Sequence, residues 1–270
     1  MIGQDRLRSM IDTQLDNGKF PQFVILTGAR GCGKRTLVNH IVIRQQFGYS
    51  HIPTTVDGIR EMIEFIGKGG KNLLFGIYDI DNLSQAGCNA LLKIAEEPPK
   101  DVYIIATCEN IENVPTTIRS RAVVYQFDEY TESEMCDFCD ERGYKVDDFT
   151  LSTCYTLGDI EILNKYDVEE FKNFIDLVIN NIASVSGANA FKIADKVCLK
   201  GDEGYDLKLF LMAFSSACVD YMLNKDINNC LKFSKAVAIT GNAIADLNVK
   251  AVNKQMLFDK WLLDIRSAWS

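Results

Sequence analysis

Residues 21–36 read Pro21-Gln-Phe-Val-Ile-Leu-Thr-Gly28-Ala-Arg-Gly31-Cys-Gly33-Lys34-Arg35-Thr36. Phe23 to Leu26 form an unbroken apolar run, the pattern of a short strand buried on both faces. A glycine-rich turn follows, and from Leu37 the stretch LVNHIVIRQQF reads as a helix. Between a strand and a helix, Gly28, Gly31 and Gly33 let backbone N–H groups curl around a phosphate. The helix N-terminus adds its positive partial charge. Lys34 stands where an ammonium reaches the β and γ phosphates of a nucleotide. The bland alternative is an ordinary glycine-rich strand-to-helix turn.

The residue after that lysine should be Ser or Thr, because its hydroxyl ligates Mg²⁺. Here it is Arg35. Thr36 comes one position later, which on a helix rotates it by about 100° and turns it elsewhere. An arginine cannot coordinate a cation, but it can place its own charge near phosphates. Phosphate binding can therefore survive where metal-assisted hydrolysis suffers.

Outward from this loop, the first half of the chain alternates strands and helices. NLLFGIYDI (72–80), DVYIIATC (101–108) and AVVYQF (122–127) read as three further strands, and SQAGCNALLKIAEE (84–97) as a helix stopped by Pro98 and Pro99. Short apolar strands separated by helices imply an α/β domain, a parallel sheet with helices on both faces. After Phe127 the strands stop. TESEMCDFCDERG (131–143) reads as an acid-capped helix ending at Gly143, and 150–166 as two short helices. Long amphipathic helices follow over 169–185, 189–199, 206–223, 228–247 and 253–269, with loops such as Gly201 to Gly204 between them. The expected organisation is an α/β domain over 1–127, a small helical domain over 128–167, and a helical bundle over 168–270.

Composition bounds the function. The chain has 270 residues, 47% hydrophobic and 24% charged, as in a soluble globular protein. No apolar run approaches the roughly 20 residues that span a bilayer, so no membrane role is expected. The polar start MIGQDRLRSM is not a signal peptide. Nine cysteines, an odd number set in apolar segments, suggest reduced thiols in a cytoplasmic compartment. A net charge of -8 argues against salt-driven DNA binding by the surface as a whole, though not against DNA handling inside a complex. Cys136 and Cys139 form a CxxC, but a zinc site needs a second ligand pair and only Cys154 lies near. Zinc is not expected.

Several stretches, taken in order, resemble the clamp-loader subunits of bacterial DNA polymerase III, the gamma/tau and delta-prime AAA+ family. IGQDRL (2–7) resembles the segment packing near the adenine, GARGCGKRT (28–36) the phosphate loop, and NALLKIAEEPP (89–99) the stretch after the second nucleotide motif. TTIRSR (116–121) resembles the segment carrying an arginine finger that acts in trans, and LGDIEIL (157–163) the second sensor. The likeness covers roughly residues 1–165, with the remainder resembling the family only as a helical collar. It implies an AAA+ sheet, a helical lid and an all-α oligomerisation domain.

The resemblance also locates departures. With Asn89 as anchor, Tyr78 falls at the magnesium-binding Asp and Asp79 at the catalytic Glu; in the alternative register Asp79 is itself the metal-site Asp. Thr107 falls at the first sensor, and the plain reading is a threonine ending a strand. Glu161 falls where the second sensor has Arg. Arg35, Tyr78, Asp79 and Glu161 thus depart together, while Arg121 matches the finger that serves a neighbour's γ phosphate; a structural salt bridge competes with that role. The family's four-cysteine zinc module is missing from 50–72.

The pattern implies a delta-prime-like subunit deficient in its own hydrolysis. ATP or ADP is a possible ligand of Gly28, Gly31, Gly33, Lys34, Arg35, Thr36 and Thr107, and Mg²⁺ is not expected. The implied partners are gamma/tau and delta subunits and, through the complex, the sliding clamp and primer-template DNA. Two other readings stay open: a slow ATPase with altered metal ligands, and an AAA+ scaffold in another nucleic-acid process.

Overall fold

The computed structural model describes residues 2–181, 193, 194, 196, 197, 204–225, 229–247 and 252–269. The chain divides into two compact units, Met1–Glu134 and Met135–Ser270. The first is an α/β layer structure. Its elements are α1 (Asp5–Asp16), β1 (Phe23–Thr27), α2 (Lys34–Gln45), β2 (Gly48–Ile52), α3 (Val56–Gly67), β3 (Leu73–Ile77), α4 (Gln85–Glu96), β4 (Val102–Cys108), α5 (Thr116–Arg119) and β5 (Val123–Gln126). The strands lie in the order β2-β3-β4-β1-β5, and every neighbouring pair is parallel.

Burial explains the order. All five residues of β1 are buried, as its apolar run requires of a strand enclosed between β4 and β5. Phe23, Ile25, Phe75, Ile77, Ile104 and Ala106 join Leu91 and Ile94 of α4 and Ile59 and Met62 of α3 in one core. Each such Ile, Leu, Phe or Met contributes about 1.5–3 kcal/mol on burial. α4 presents Gly87, Cys88, Leu91, Ile94 and Ala95 inward, and the Ser84 hydroxyl caps it by accepting from Gly87 N. Loops at the C-terminal ends of β1, β3 and β4 therefore lie together, where parallel α/β sheets place their ligand crevice.

Four strands were expected and five are present. The addition, β2, is an edge strand whose sequence, Gly-Tyr-Ser-His-Ile, is exposed at all but Ile52. With no buried apolar run, nothing in its hydropathy marks it as a strand. α3 was likewise unmarked, although Thr55 caps it through Gly58 N.

The second unit is helical: most of α6 (Glu132–Arg142), then α7 (Asp148–Thr153), α8 (Leu157–Leu163), α9 (Val168–Asn181), α10 (Leu207–Asp220), α11 (Cys230–Leu247) and α12 (Lys254–Trp269). The expected boundary between residues 167 and 168 falls inside this unit, where α7 and α8 both pack on α10. The helix expected over 189–199 and the loop from Gly201 lie largely outside the described residues. Phe171, Phe210, Phe214, Phe258 and Trp261 are fully buried, with Phe214 edge-on to Trp261 at 5.0 Å. Trp261 Nε1 donates to Thr240 Oγ1 at 3.0 Å. No helix among the described residues is long and apolar enough to cross a membrane.

Candidate functional site: a phosphate loop facing an arginine–tyrosine pair

The loop after β1 is built by close approach. A Cβ on Gly28 would come within 2.8 Å of Phe127 Cβ and 3.0 Å of Cys32 Sγ, so no other residue fits there. Gly33 ends the loop at φ +94, a left-handed conformation that glycine adopts without strain. It gives α2 no side-chain cap, and the first-turn N–H groups, which have no intrahelical acceptor, face whatever the loop encloses. The Tyr130 hydroxyl donates to Cys32 O at 2.8 Å and braces the loop from below. Gln4 braces the N-terminal segment: its side-chain amide donates to Asp128 O at 2.8 Å and accepts from Asp128 N at 3.0 Å.

Lys34 is buried, and its ammonium donates to Gly28 O at 2.5 Å and Ala29 O at 2.9 Å. These bonds fold the side chain over its own loop. Burial raises the Cys32 thiol pKa, against the lowering influence of the Lys34 charge. Arg35 and Thr36 are both exposed on the first turn of α2.

The positions expected to hold magnesium meet each other. The guanidinium carbon of Arg35 lies 4.5 Å above the centre of the Tyr78 ring, and Arg35 Nη2 is 3.4 Å from Asp79 Oδ2. Tyr78 follows β3 directly and is held by β2. Tyr49 and His51, two apart and so on one face of that strand, both engage it: the Tyr49 and Tyr78 hydroxyls are 2.6 Å apart, and the His51 ring stacks on Tyr78 at 4.8 Å. Tyr78 O also accepts from the Thr54 hydroxyl at 3.1 Å. Gly76 makes room for this, since a Cβ there would come within 2.7 Å of the Tyr49 hydroxyl. Burial, then the bond to Tyr78, push the Tyr49 phenol pKa up.

Magnesium does not fit this corner. A hard cation needs several oxygen ligands. Here one ligand position is an arginine, the other is a phenol hydrogen-bonded to a second phenol, and the neighbouring carboxylate, Asp79, pairs with the arginine. Asp81 is used as well, its Oδ2 accepting from Glu109 N at 3.2 Å. The elements that a bound phosphate would need are present: the glycines, the uncapped start of α2, and Lys34.

The other expected site residues are dispersed. Thr107 is buried at the end of β4, and its hydroxyl accepts from Asp79 N at 3.1 Å, so it positions the second motif. Arg121 lies between α5 and β5. Its Nη2 and Nε donate to Glu96 Oε1 at 2.5 and 3.0 Å, and its Nη1 to Thr117 O at 2.6 Å. In the second unit Glu161 pairs with Arg142 at 3.4 Å. The adjoining Asp159 completes a capping box with Thr156.

Tyr49, His51 and Glu96 were not singled out from the sequence. The alternation Tyr-x-His beside a mid-strand glycine at Gly76 was the available signal for the first two. The eight cysteines among the described residues are free, and burial raises the Cys139 and Cys154 thiol pKa values.

Comparison with known proteins agrees with this geometry. Residues 49–131 match the family model of the DNA polymerase III delta subunit. The gamma subunit of DNA polymerase III from Buchnera aphidicola subsp. Schizaphis graminum is 28% identical over 169 residues, covering 51% of this chain and 47% of that protein. The delta-prime subunit of the same organism is 26% identical over 183 residues, covering 65% of this chain and 55% of its own. The chain thus spans about half the length of these relatives. Among solved structures, a gamma subunit-related protein of Thermotoga maritima superposes with a TM-score of 0.53 at 14% identity, over 98% of this chain and 99% of that one, a likeness of fold. The chain is similar to the gamma, gamma/tau and delta-prime subunits of bacterial DNA polymerase III, over about half to two-thirds of its length.

Proposed function

We propose that this chain is a delta-prime-like subunit of a clamp loader, deficient in hydrolysis at its own loop, which donates Arg121 to the nucleotide of a neighbouring ATPase subunit. The observation that carries the first half is the contact of Arg35 with Tyr78 at 4.5 Å. A single changed ligand leaves an impaired metal site, whereas two changed ligands that pack on each other occupy it. The second half rests on the likeness of Thr116 to Arg121 to the finger segment. Arg121 sits on a partly exposed pair with Glu96, and exposed pairs contribute little to stability, about 0–1 kcal/mol, so the arginine is free to serve elsewhere. The partners under this reading are gamma/tau and delta subunits, with the sliding clamp and primer-template DNA reached through the complex in the cytoplasm.

A collar role for residues 168–270 belongs to the same proposal, but not every apolar residue of its last helix is available for it. Trp261, Leu262 and Ile265 are 1%, 6% and 0% exposed and close the second unit's own core. Leu177, Leu231, Met256 and Leu263 are exposed instead and are better placed to meet other subunits. The test is reconstitution with the gamma/tau and delta subunits of the native host. Stable incorporation, with DNA- and clamp-stimulated ATPase that falls with Arg121→Ala, supports the reading. Failure to co-assemble removes it.

A further inference from the structure

We infer that Arg35 is a resident cation in place of magnesium, so that this loop takes the polyphosphate of a nucleotide free of divalent metal. The inference deepens the reading of a hydrolysis-deficient loop and rests on the phosphate loop retained there. In this family the hydroxyl after the loop lysine and the acid after β3 reach one ion together. Here the corresponding side chains are Arg35 and Tyr78, and the guanidinium lies over the ring. The positive charge of the site has become part of the chain.

The surroundings hold it there. Tyr78 offers its ring face because the Tyr49 hydroxyl, at 2.6 Å, fixes its edge and His51 stacks on it. Asp79 Oδ2 approaches the guanidinium at 3.4 Å, too long for a strong charged hydrogen bond, so Arg35 keeps donors to offer an anion. Its side chain is 65% exposed. Lys34, one residue away, is bonded to the carbonyls of Gly28 and Ala29 and lies 3.8 Å from Cys32 Sγ. A phosphate can outcompete these uncharged acceptors because it meets the ammonium with full negative charge. Two cations and the uncapped start of α2 then face the same anion. Magnesium chelation cancels two negative charges on a polyphosphate and brings a cation against Arg35. It should therefore add nothing to binding.

The experiment is titration calorimetry of the whole chain with ADP and with inorganic tripolyphosphate, in EDTA and in excess Mg²⁺. Wild type should bind both in EDTA, and Mg²⁺ should not strengthen the binding. Arg35→Ala should weaken binding in EDTA by about tenfold or more, the worth of a charged hydrogen bond. Arg35→Lys should retain most of it, and Lys34→Ala should abolish it. The pair Arg35→Thr with Tyr78→Asp should reverse the metal response, so that Mg²⁺ strengthens binding. Circular dichroism establishes that each variant is folded. Stronger wild-type binding in Mg²⁺ overturns the inference, as does unchanged affinity in Arg35→Ala or binding that persists in Lys34→Ala. No binding under any condition also overturns it and leaves the Arg121 role to stand or fall on the reconstituted ATPase.

Discussion

Two arginines divide this molecule's chemistry. Arg35, after the glycine loop, stands where a metal-ligating hydroxyl was expected and lies between Tyr78 and Asp79. Arg121, between α5 and β5, stands in a segment that resembles the family's finger segment and is held by Glu96, the Thr117 carbonyl and, more loosely, the Ser120 hydroxyl. In the first region the two residues expected at metal-ligand positions, Arg35 and Tyr78, pack on each other, and Tyr49 and His51 of β2 hold Tyr78. Under the proposed function, chemistry lost at the chain's own loop and chemistry lent to a neighbour rest on different elements, the start of α2 with β3 in one case and the turn between α5 and β5 in the other.

The contrast breaks most readily at Arg121. A guanidinium at the equatorial oxygens of a transferring phosphoryl group is worth about 10³ or more in rate, about 4 kcal/mol of barrier. Arg121→Ala should therefore lower ATPase of the assembled complex by about that factor, with assembly and nucleotide affinity mostly intact. Arg121→Lys should rescue poorly, because an ammonium lacks the planar fork. Steady-state ATPase of the reconstituted complex decides it. Wild-type rates in Arg121→Ala would make the Glu96 pair the whole role of this residue.

The other side of the contrast is sharpened by restoration. The isolated wild-type chain should not turn over Mg·ATP, and a rate near 1 s⁻¹ or more, typical of enzymes, that vanishes in Lys34→Ala would sink the idea of a lost site. Arg35→Thr, Tyr78→Asp and Asp79→Glu together put oxygens back where a hard cation needs them. The triple variant should bind Mg²⁺-nucleotide about tenfold more tightly than wild type, about 1.4 kcal/mol. If calorimetry finds no gain, the obstacle to metal binding does not lie in these three positions.

How much of this was legible in the sequence follows from where hydropathy carries information. β1, β3 and β4 were found because their apolar residues are mostly buried, β5 because Val123, Val124 and Tyr125 are residues that favour strands even though only Tyr125 is buried, and the glycine loop because its context of strand and helix is local. β2 escaped because an exposed edge strand has no apolar period, and with it went Tyr49 and His51. Arg35 and Tyr78 could each be read as a lost ligand, yet their contact joins residues 43 positions apart through the sheet, and a pairing of that kind has no local signature. Trp261 and Ile265 mark a helix face without saying whether that face meets its own bundle or another chain; burial assigns them to the bundle. Glu96 stood in plain view within NALLKIAEEPP, but only the fold brings the end of α4 beside Arg121.

The smallest expected effect concerns β2. Tyr49 does not touch Arg35; it acts through Tyr78, whose hydroxyl is its partner. Tyr49→Phe removes one neutral hydrogen bond between partly exposed groups and keeps the ring over Gly76. The stability cost should be about 0.5–1.5 kcal/mol or less, since water can replace the lost partner. Tyr78 would then be held by His51 and Thr54 alone, and Arg35 less firmly by Tyr78. If the β2 support belongs to the rewritten site, polyphosphate affinity in EDTA should fall about twofold to threefold while Arg121-dependent ATPase of the complex is unchanged. His51→Ala should give a similar loss, and the two together should be less than additive, because both act on one ring. Chemical denaturation paired with calorimetry separates the outcomes. A loss of stability with no change in binding would leave Tyr49 a strand-edge contact, and a change in complex ATPase would mean that the two regions are coupled after all.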